Sequence, residues 1–178
     1  MRRKARNGLA VRDPLGSVVA MAPRFDIQPA RGPADLAGVA DLFRAYAASL
    51  PVDLDYQDFE SELAGLPGKY APPAGALLLA RGPDGAPLGC VALRPLEGGV
   101  CEMKRLYLDP AARGSGLGRA LAAAIADSAR ALGYNELRLD TLPGMTAALS
   151  LYRAMGFTEI AAYYAPTPPG TVFLALRL

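Results

Sequence analysis

The 178-residue sequence contains no histidine. That absence removes Ser-His-Asp and Cys-His nucleophilic designs and every His-ligated metal site. Proton transfer in this chain has to run through carboxylates, tyrosine, lysine, backbone groups or water. Cysteine is scarce: Cys90 and Cys101 stand alone, each in an apolar strand-like run. Such thiols read as reduced, buried small hydrophobes of a cytoplasmic protein, with a disulfide or an acyl-cysteine intermediate as the other readings. No apolar run approaches the roughly eighteen residues needed to cross a bilayer, so no membrane partner is expected. Excess charge of one sign is missing too. Lys and Arg number 19 against 17 Asp and Glu, a net +2 that gives no argument for nucleic acid as a partner.

What remains is a soluble, globular composition, 52% hydrophobic and 20% charged. The length fits one domain with a real core. Residues 1–22, MRRKARNGLAVRDPLGSVVAMA, start basic, but Asp13-Pro14 interrupts any secretory apolar core. They are predicted to be a disordered extension, with Met21 as an alternative start directly before the first strand-like run.

The folded part opens with a strand over Arg24–Pro29. Pro33 suits the first turn of a helix whose face is Leu36, Val39, Ala40, Phe43 and Ala47, ending near Ser49. A second helix is predicted behind Asp55 as N-cap, with Leu54 and Phe59 as a hydrophobic staple and Gly65 at its end. Strands follow at Ala76–Arg81, Pro87–Leu93 and Val100–Leu108, joined by turns rich in Gly and Pro. After a long helix come a strand at Glu136–Asp140 and a short helix at Thr146–Met155 carrying Ala147, Leu151 and Ala154. Strands at Phe157–Tyr163 and Thr171–Leu178 close the chain.

The stretch from Cys101 to Gly133 carries the strongest signal. The run Leu106-Tyr107-Leu108 turns through Asp109-Pro110-Ala111-Ala112 into Arg113-Gly114-Ser115-Gly116-Leu117-Gly118-Arg119. A helix follows with Leu117, Leu121, Ile125, Ser128 and Leu132 on one face and Gly133 as its cap. Strand, glycine loop and helix in that order make an anion site, because the first helical N–H groups lack partners and the macrodipole adds positive charge. The segment is not a Walker A loop, since Arg119 and Ala120 stand where Lys and Ser or Thr belong. Nor does it complete the dinucleotide fingerprint, which meets Arg119 in place of its last glycine.

The pattern R-x-x-G-x-G does fit, at Arg113, Gly116 and Gly118. It resembles the GNAT superfamily of acyl-CoA-dependent N-acyltransferases. A second segment, ALSLYRAMGF, resembles that family's A-x-x-L-Y-x-x-x-G-F signature at Ala148, Leu151, Tyr152, Gly156 and Phe157. The element order β-α-α-β-β-β-α-β-α-β-β is the family's as well. The resemblance implies an α/β (α+β) domain over residues 23–178, with a mixed sheet of about seven strands flanked by about four helices.

It also implies an activity: transfer of an acetyl group from acetyl-CoA to a primary amine, with a small-molecule acceptor, no metal, and room for a homodimer. A non-catalytic acyl-CoA sensor and a protein-amine acetyltransferase are the alternatives. In the family the coenzyme pyrophosphate lies on the backbone of Arg113, Gly114, Ser115, Gly116, Leu117, Gly118 and Arg119. The donor for the acyl oxygen comes from the preceding strand, here Leu106, Tyr107 or Leu108. Many members contact the coenzyme arm with an Asn after the next strand; this chain has Asp140-Thr141 there, and the Thr141 hydroxyl can substitute.

Tyr152 stands where the family places a tyrosine beside the sulfur. A phenol of pKa about 10 protonates a thiolate near 8.5 only slightly uphill; the other reading is an amphipathic core tyrosine. Glu102 is the candidate base, or else an exposed strand carboxylate paired with Lys104 or another cation. Asp140 is a second choice. On a regular strand Lys104 and Arg105 point to opposite faces, so one can meet an anionic group of the acceptor. Tyr46, Asp53, Asp55 and Tyr56 of the first helix pair are further candidate acceptor contacts. Tyr163 and Tyr164, with the proline-rich loop after them, form a candidate lid.

Overall fold

The computed structural model describes residues 10–12, 18–20, 25–52 and 58–178. Strands β1 (Ala10–Arg12) and β2 (Val18–Ala20) pair antiparallel with one another in a ladder of their own. The main sheet has seven strands: β3 (Asp26–Pro29), β4 (Ala76–Arg81), β5 (Pro87–Pro95), β6 (Val100–Leu108), β7 (Glu136–Thr141), β8 (Thr158–Ile160) and β9 (Val172–Arg177). Their order across the sheet is β3-β4-β5-β6-β7-β9-β8. Only β6 and β7 run parallel, as the crossover through a helix between them requires. The helices are α1 (Gly32–Ser49), α2 (Phe59–Ala64), α3 (Leu117–Ala131) and α4 (Thr146–Ala154).

Both faces of the sheet are covered, which is why β4 reads as the unbroken apolar run ALLLA. On one face Val39, Leu42, Phe43 and Phe59 of α1 and α2 pack on Leu77, Leu79, Cys90, Ala92 and Tyr107. On the other, α3 and α4 bury Leu117, Leu121, Ile125, Leu149 and Tyr152 against Leu78, Val91, Met103, Leu139 and Leu174. α3 ends with Gly133 N–H on the Arg130 carbonyl and Tyr134 N–H on that of Ala129, a Schellman pair.

Several elements depart from the sequence expectation. α2 begins at Phe59, behind Asp58 at φ 55°, a conformation that breaks the helix there. Asp53, Asp55 and Tyr56 lie outside the described residues. The α3 stripe drifts from the expected line to Ala122, Ala126 and Ala129, and Leu132 is 41% exposed beyond the last turn. On α4 the buried residues are Leu149 and Tyr152, one position along from the expected Ala147–Leu151–Ala154 face. β8 stops at Ile160. Past it the chain leaves the sheet edge, and the rings of Tyr163 and Tyr164 stand 5.1 and 5.4 Å from that of Phe173.

Candidate active site

β6 and β7 run side by side for three pairs, Val100–Glu136, Cys101–Leu137 and Glu102–Arg138, and the ladder ends there. β6 then gains a residue against β5: Ala92 opposes Lys104 while Cys90 opposes Tyr107, so Arg105 and Leu106 share the place opposite Val91. Arg105 takes φ 58°, the left-handed geometry of a bulge that bends a strand from its neighbour. Leu106, Tyr107 and Leu108, where the acyl-oxygen donor is expected, follow directly. A Cβ on Gly89 would stand 2.8 Å from the Tyr107 carbonyl, so only glycine fits beneath the bent strand.

The bend delivers β6 into the glycine loop. Asp109 accepts the Ala111 N–H at 2.8 Å and holds the single turn Pro110–Ala112. Ser115 Oγ donates to the Ala112 carbonyl at 2.6 Å, and Gly116 at φ 85° leads into α3. Arg113–Gly116 and Arg119 are exposed while Leu117 is buried. A Cβ on Gly114 or Gly116 would meet nothing within 4 Å. The loop is therefore an open cradle at the positive end of a fifteen-residue helix, with two arginines at its rim. That donor set fits a pyrophosphate.

Tyr152 lies under the sheet on α4, 6% exposed, its ring 5.6 Å from that of Phe157. Burial pushes its phenol up, and Tyr46 and Asp140 push the same way, which puts both groups in its surroundings. The expected near match to a thiolate is thereby lost: the hydroxyl is a hydrogen-bond donor at any working pH. Thr141 is buried, with its hydroxyl on the Met145 sulfur at 3.5 Å.

Glu102 is fully buried rather than exposed, and the cation that pairs with it is Arg94 rather than Lys104. Arg94, directly across the β5–β6 ladder, donates from Nε to Oε2, and the Tyr163 hydroxyl donates to Oε1 at 2.6 Å. Lys104 instead meets Asp140 at 3.1 Å and lies 5.8 Å from the Tyr164 ring centre. Arg138 stacks 5.3 Å over Tyr163. The bulge also cancels the opposite-face expectation. Lys104 pairs with Asp140, and Arg105 turns to α2. Its guanidinium, 2% exposed, is committed to Glu62, from Nε to Oε1 at 2.9 Å and from Nη2 to Oε2 at 3.0 Å. Nε and Nη2 are thereby taken up by Glu62, in a side chain closed off from solvent. Tyr46 packs 5.9 Å from Tyr107 near the same place.

The sequence reading missed Glu62 and Arg94. Glu62 stands three residues after Phe59, on the same face of α2 as the residue that anchors it. That spacing was the available signal.

The sequence pattern of the Acetyltransferase (GNAT) family matches residues 39–157. The chain belongs to the GNAT family. An uncharacterised N-acetyltransferase of Schizosaccharomyces pombe is 39% identical over 155 residues, covering 86% of this chain and 95% of its own. An aminoglycoside N(6')-acetyltransferase of Klebsiella aerogenes is 40% identical over 113 residues, 59% of this chain and 74% of its own. Among solved structures, an acyl-CoA N-acyltransferase fold from Klebsiella pneumoniae superposes with a TM-score of 0.69 at 32% identity, over 88% of this chain and 99% of that one. The protein is an acyltransferase enzyme of this family, whose members use acetyl-CoA as donor. Among the described residues no helix is long and apolar enough to cross a membrane.

Within this GNAT enzyme the cysteines are poor nucleophiles. Both are free and buried. Burial pushes the Cys90 thiol up, and that of Cys101 up to about 12. Thiolate at neutral pH is thus suppressed, against an acyl-cysteine route.

Two substitutions separate fold from site. A Cβ on Gly118 would make only ordinary contact with Leu108 at 3.6 Å and Leu151 at 3.9 Å. Gly118→Ala, at the second residue of α3, is therefore expected to keep or slightly raise stability, and to weaken acetyl-CoA if this loop is where the phosphate lies. Thermal unfolding of the free protein and calorimetric titration read the two effects. Glu102→Ala strands the Arg94 guanidinium and the Tyr163 hydroxyl together, and costs about 2 kcal/mol after allowing for Arg94's exposure. Urea unfolding at pH 7 measures that loss.

Proposed function

We propose that this enzyme transfers an acetyl group from acetyl-CoA to a primary amine of a small molecule, by direct attack with both substrates bound. The reading is carried by one arrangement: β6 parts from β7 after Glu102, with the Glu102–Tyr163 pair at the start of the freed stretch and the open glycine cradle beyond its end. Acetyl-CoA, when bound, supplies the thioester. Backbone N–H groups from Arg113 to Arg119 hold its pyrophosphate, and Arg113 and Arg119 add charge. A backbone N–H among Leu106, Tyr107 and Leu108 stabilises the charge that grows on the acyl oxygen, an effect worth about 3–4 kcal/mol in other oxyanion holes. Tyr152 donates its O–H to the leaving sulfur. Thr141, at the end of β7, would reach the coenzyme arm only by giving up its bond to the Met145 sulfur.

The amine proton leaves through Tyr163. As the Tyr163 oxygen takes a proton from the attacking nitrogen, its own proton passes to Glu102 Oε1, 2.6 Å away. Arg94 compensates the Glu102 charge beforehand. This relay answers the burial of Glu102, which leaves it no direct face to an acceptor. Tyr46, Asp140 and Tyr163 line the acceptor side. The aminoglycoside acetyltransferase among the relatives supports a small amine as acceptor. We place the enzyme in the cytoplasm, on its two free cysteines, as a single domain over residues 23–178 behind an N-terminal extension.

Release of coenzyme A, followed with a panel of small amines and with a peptide bearing a free N-terminus, tests the reading. Turnover with small amines and intersecting initial-velocity lines are expected. Turnover with the peptide alone would reject the acceptor class, and parallel lines would reject direct transfer.

A further inference from the structure

We infer that Glu62 and Arg105 are positioning residues that hold the β6 bulge in the shape its backbone donors need. The inference rests on the proposed reading of the site. Among the described residues, Asp58 and Arg105 are the non-glycine residues at positive φ. Aspartate tolerates that region through its short polar side chain, whereas arginine does not favour it and needs support from elsewhere.

That support is built from the arginine's own side chain. Glu62 takes the guanidinium with both oxygens, at 2.9 and 3.0 Å. Phe59 lies 5.2 Å and Tyr46 6.0 Å from the guanidinium carbon. Glu62 is held in turn by Lys69 Nζ at 2.8 Å and by the Tyr70 hydroxyl at 2.7 Å. Tyr70 is fully buried, edge-on to Phe43 of α1. The strut therefore ends in the core beneath α1, not on the surface of the short helix that carries Glu62.

Its consequence follows from strand periodicity. A bulge of one residue decides which face each later side chain and N–H meets, and loss of it reverses them all. With the bulge in place Tyr107 packs among Leu77, Leu79 and Phe43, and Leu106 and Leu108 pack toward α3. A β6 free to return to regular register would misaim the N–H groups of Leu106–Leu108. The glycine loop begins only at Arg113 and is held by its own Asp109 and Ser115 bonds. Loss of the strut should thus strike turnover and spare donor binding.

The test uses Glu62→Gln, Arg105→Gly and the double variant in the full chain. Glycine accepts positive φ, so Arg105→Gly keeps the bulge sterically allowed while removing the strut, and it serves if Glu62→Gln fails to fold. The expected result is a fall in kcat of about tenfold or more in each, acetyl-CoA affinity within about threefold of wild type, and a double variant no worse than the poorer single one. Folded variants with wild-type kcat and only a lower Tm would overturn the inference, leaving the pair a brace for stability. Equal losses of kcat and acetyl-CoA affinity would overturn it as well. A wild-type protein that neither binds acetyl-CoA nor acetylates any amine would instead sink the reading of the site, and this inference with it.

Discussion

Replacing Tyr152 by phenylalanine lowers kcat about 100-fold and leaves the affinity for acetyl-CoA within about threefold. The substitution removes one oxygen and keeps the ring that packs on Phe157 in the α3–α4 core, so Tm moves little. The loss sits at the low end of general-acid effects, because burial pushes the phenol up and makes full proton transfer costly. What the hydroxyl contributes is a hydrogen bond that strengthens as negative charge gathers on sulfur, which raises kcat and not ground-state binding. Steady-state kinetics with saturating amine measure it. Unchanged turnover would remove Tyr152 from the mechanism.

The second large effect is on acid stability. Burial alone would raise the Glu62 carboxyl, but hydrogen bonds and charge from Arg105, with Lys69 and Tyr70 behind, bring it down to about 2. The ordinary value is 4.5, so the folded state favours the ionised form. A depressed carboxylate stabilises the fold fully above its unfolded pKa and loses that contribution as pH falls through the folded one. The window therefore runs from about 4.5 down to about 2, and the contribution at neutral pH is on the order of 3 kcal/mol. The side chain is 3% exposed, so solvent screening takes little from it. Unfolding free energies of wild type and Glu62→Gln, compared from pH 7 downward, should differ by that amount at first and converge as pH approaches 2. A gap that stays constant with pH would show that the carboxylate's charge contributes nothing.

Much of this fold could be read from the chain because its strongest signals are local. β4 and β6 fall where the apolar runs and glycine turns put them. The loop from Asp109 to Gly116 depends on residues within a few positions of each other. Tyr152 falls on α4, where the sequence pattern around it put a short helix. The polar centre was not, since its contacts join distant segments: Tyr163 meets Glu102 across 61 positions, and Arg105 meets Glu62 across 43. Glu102 could be suspected as a base, but its cation is Arg94, and only the antiparallel register of β5 on β6 decides that. Lys104 and Arg105 were assigned to opposite faces on the premise of a regular strand. One inserted residue undid the premise, and nothing in VCEMKRLYL marks it, because the bulge is held by a side chain on another element. The Ala147–Leu151–Ala154 face erred by one position on a helix of nine residues, too short for its periodicity to fix the phase.

Binding of acetyl-CoA by the glycine cradle between β6 and α3 can be read from thermal unfolding with and without that ligand. At one hundred times its dissociation constant a ligand adds about 2.7 kcal/mol, a rise in Tm of roughly 5–10 °C for a domain this size. Arg113 and Arg119 are exposed, so the Arg113→Ala, Arg119→Ala double variant should fold normally. The full shift is expected in wild type and a clearly smaller one in the variant. No shift in folded, ligand-free wild type would contradict it, and an equal shift in both proteins would move the donor site away from this loop.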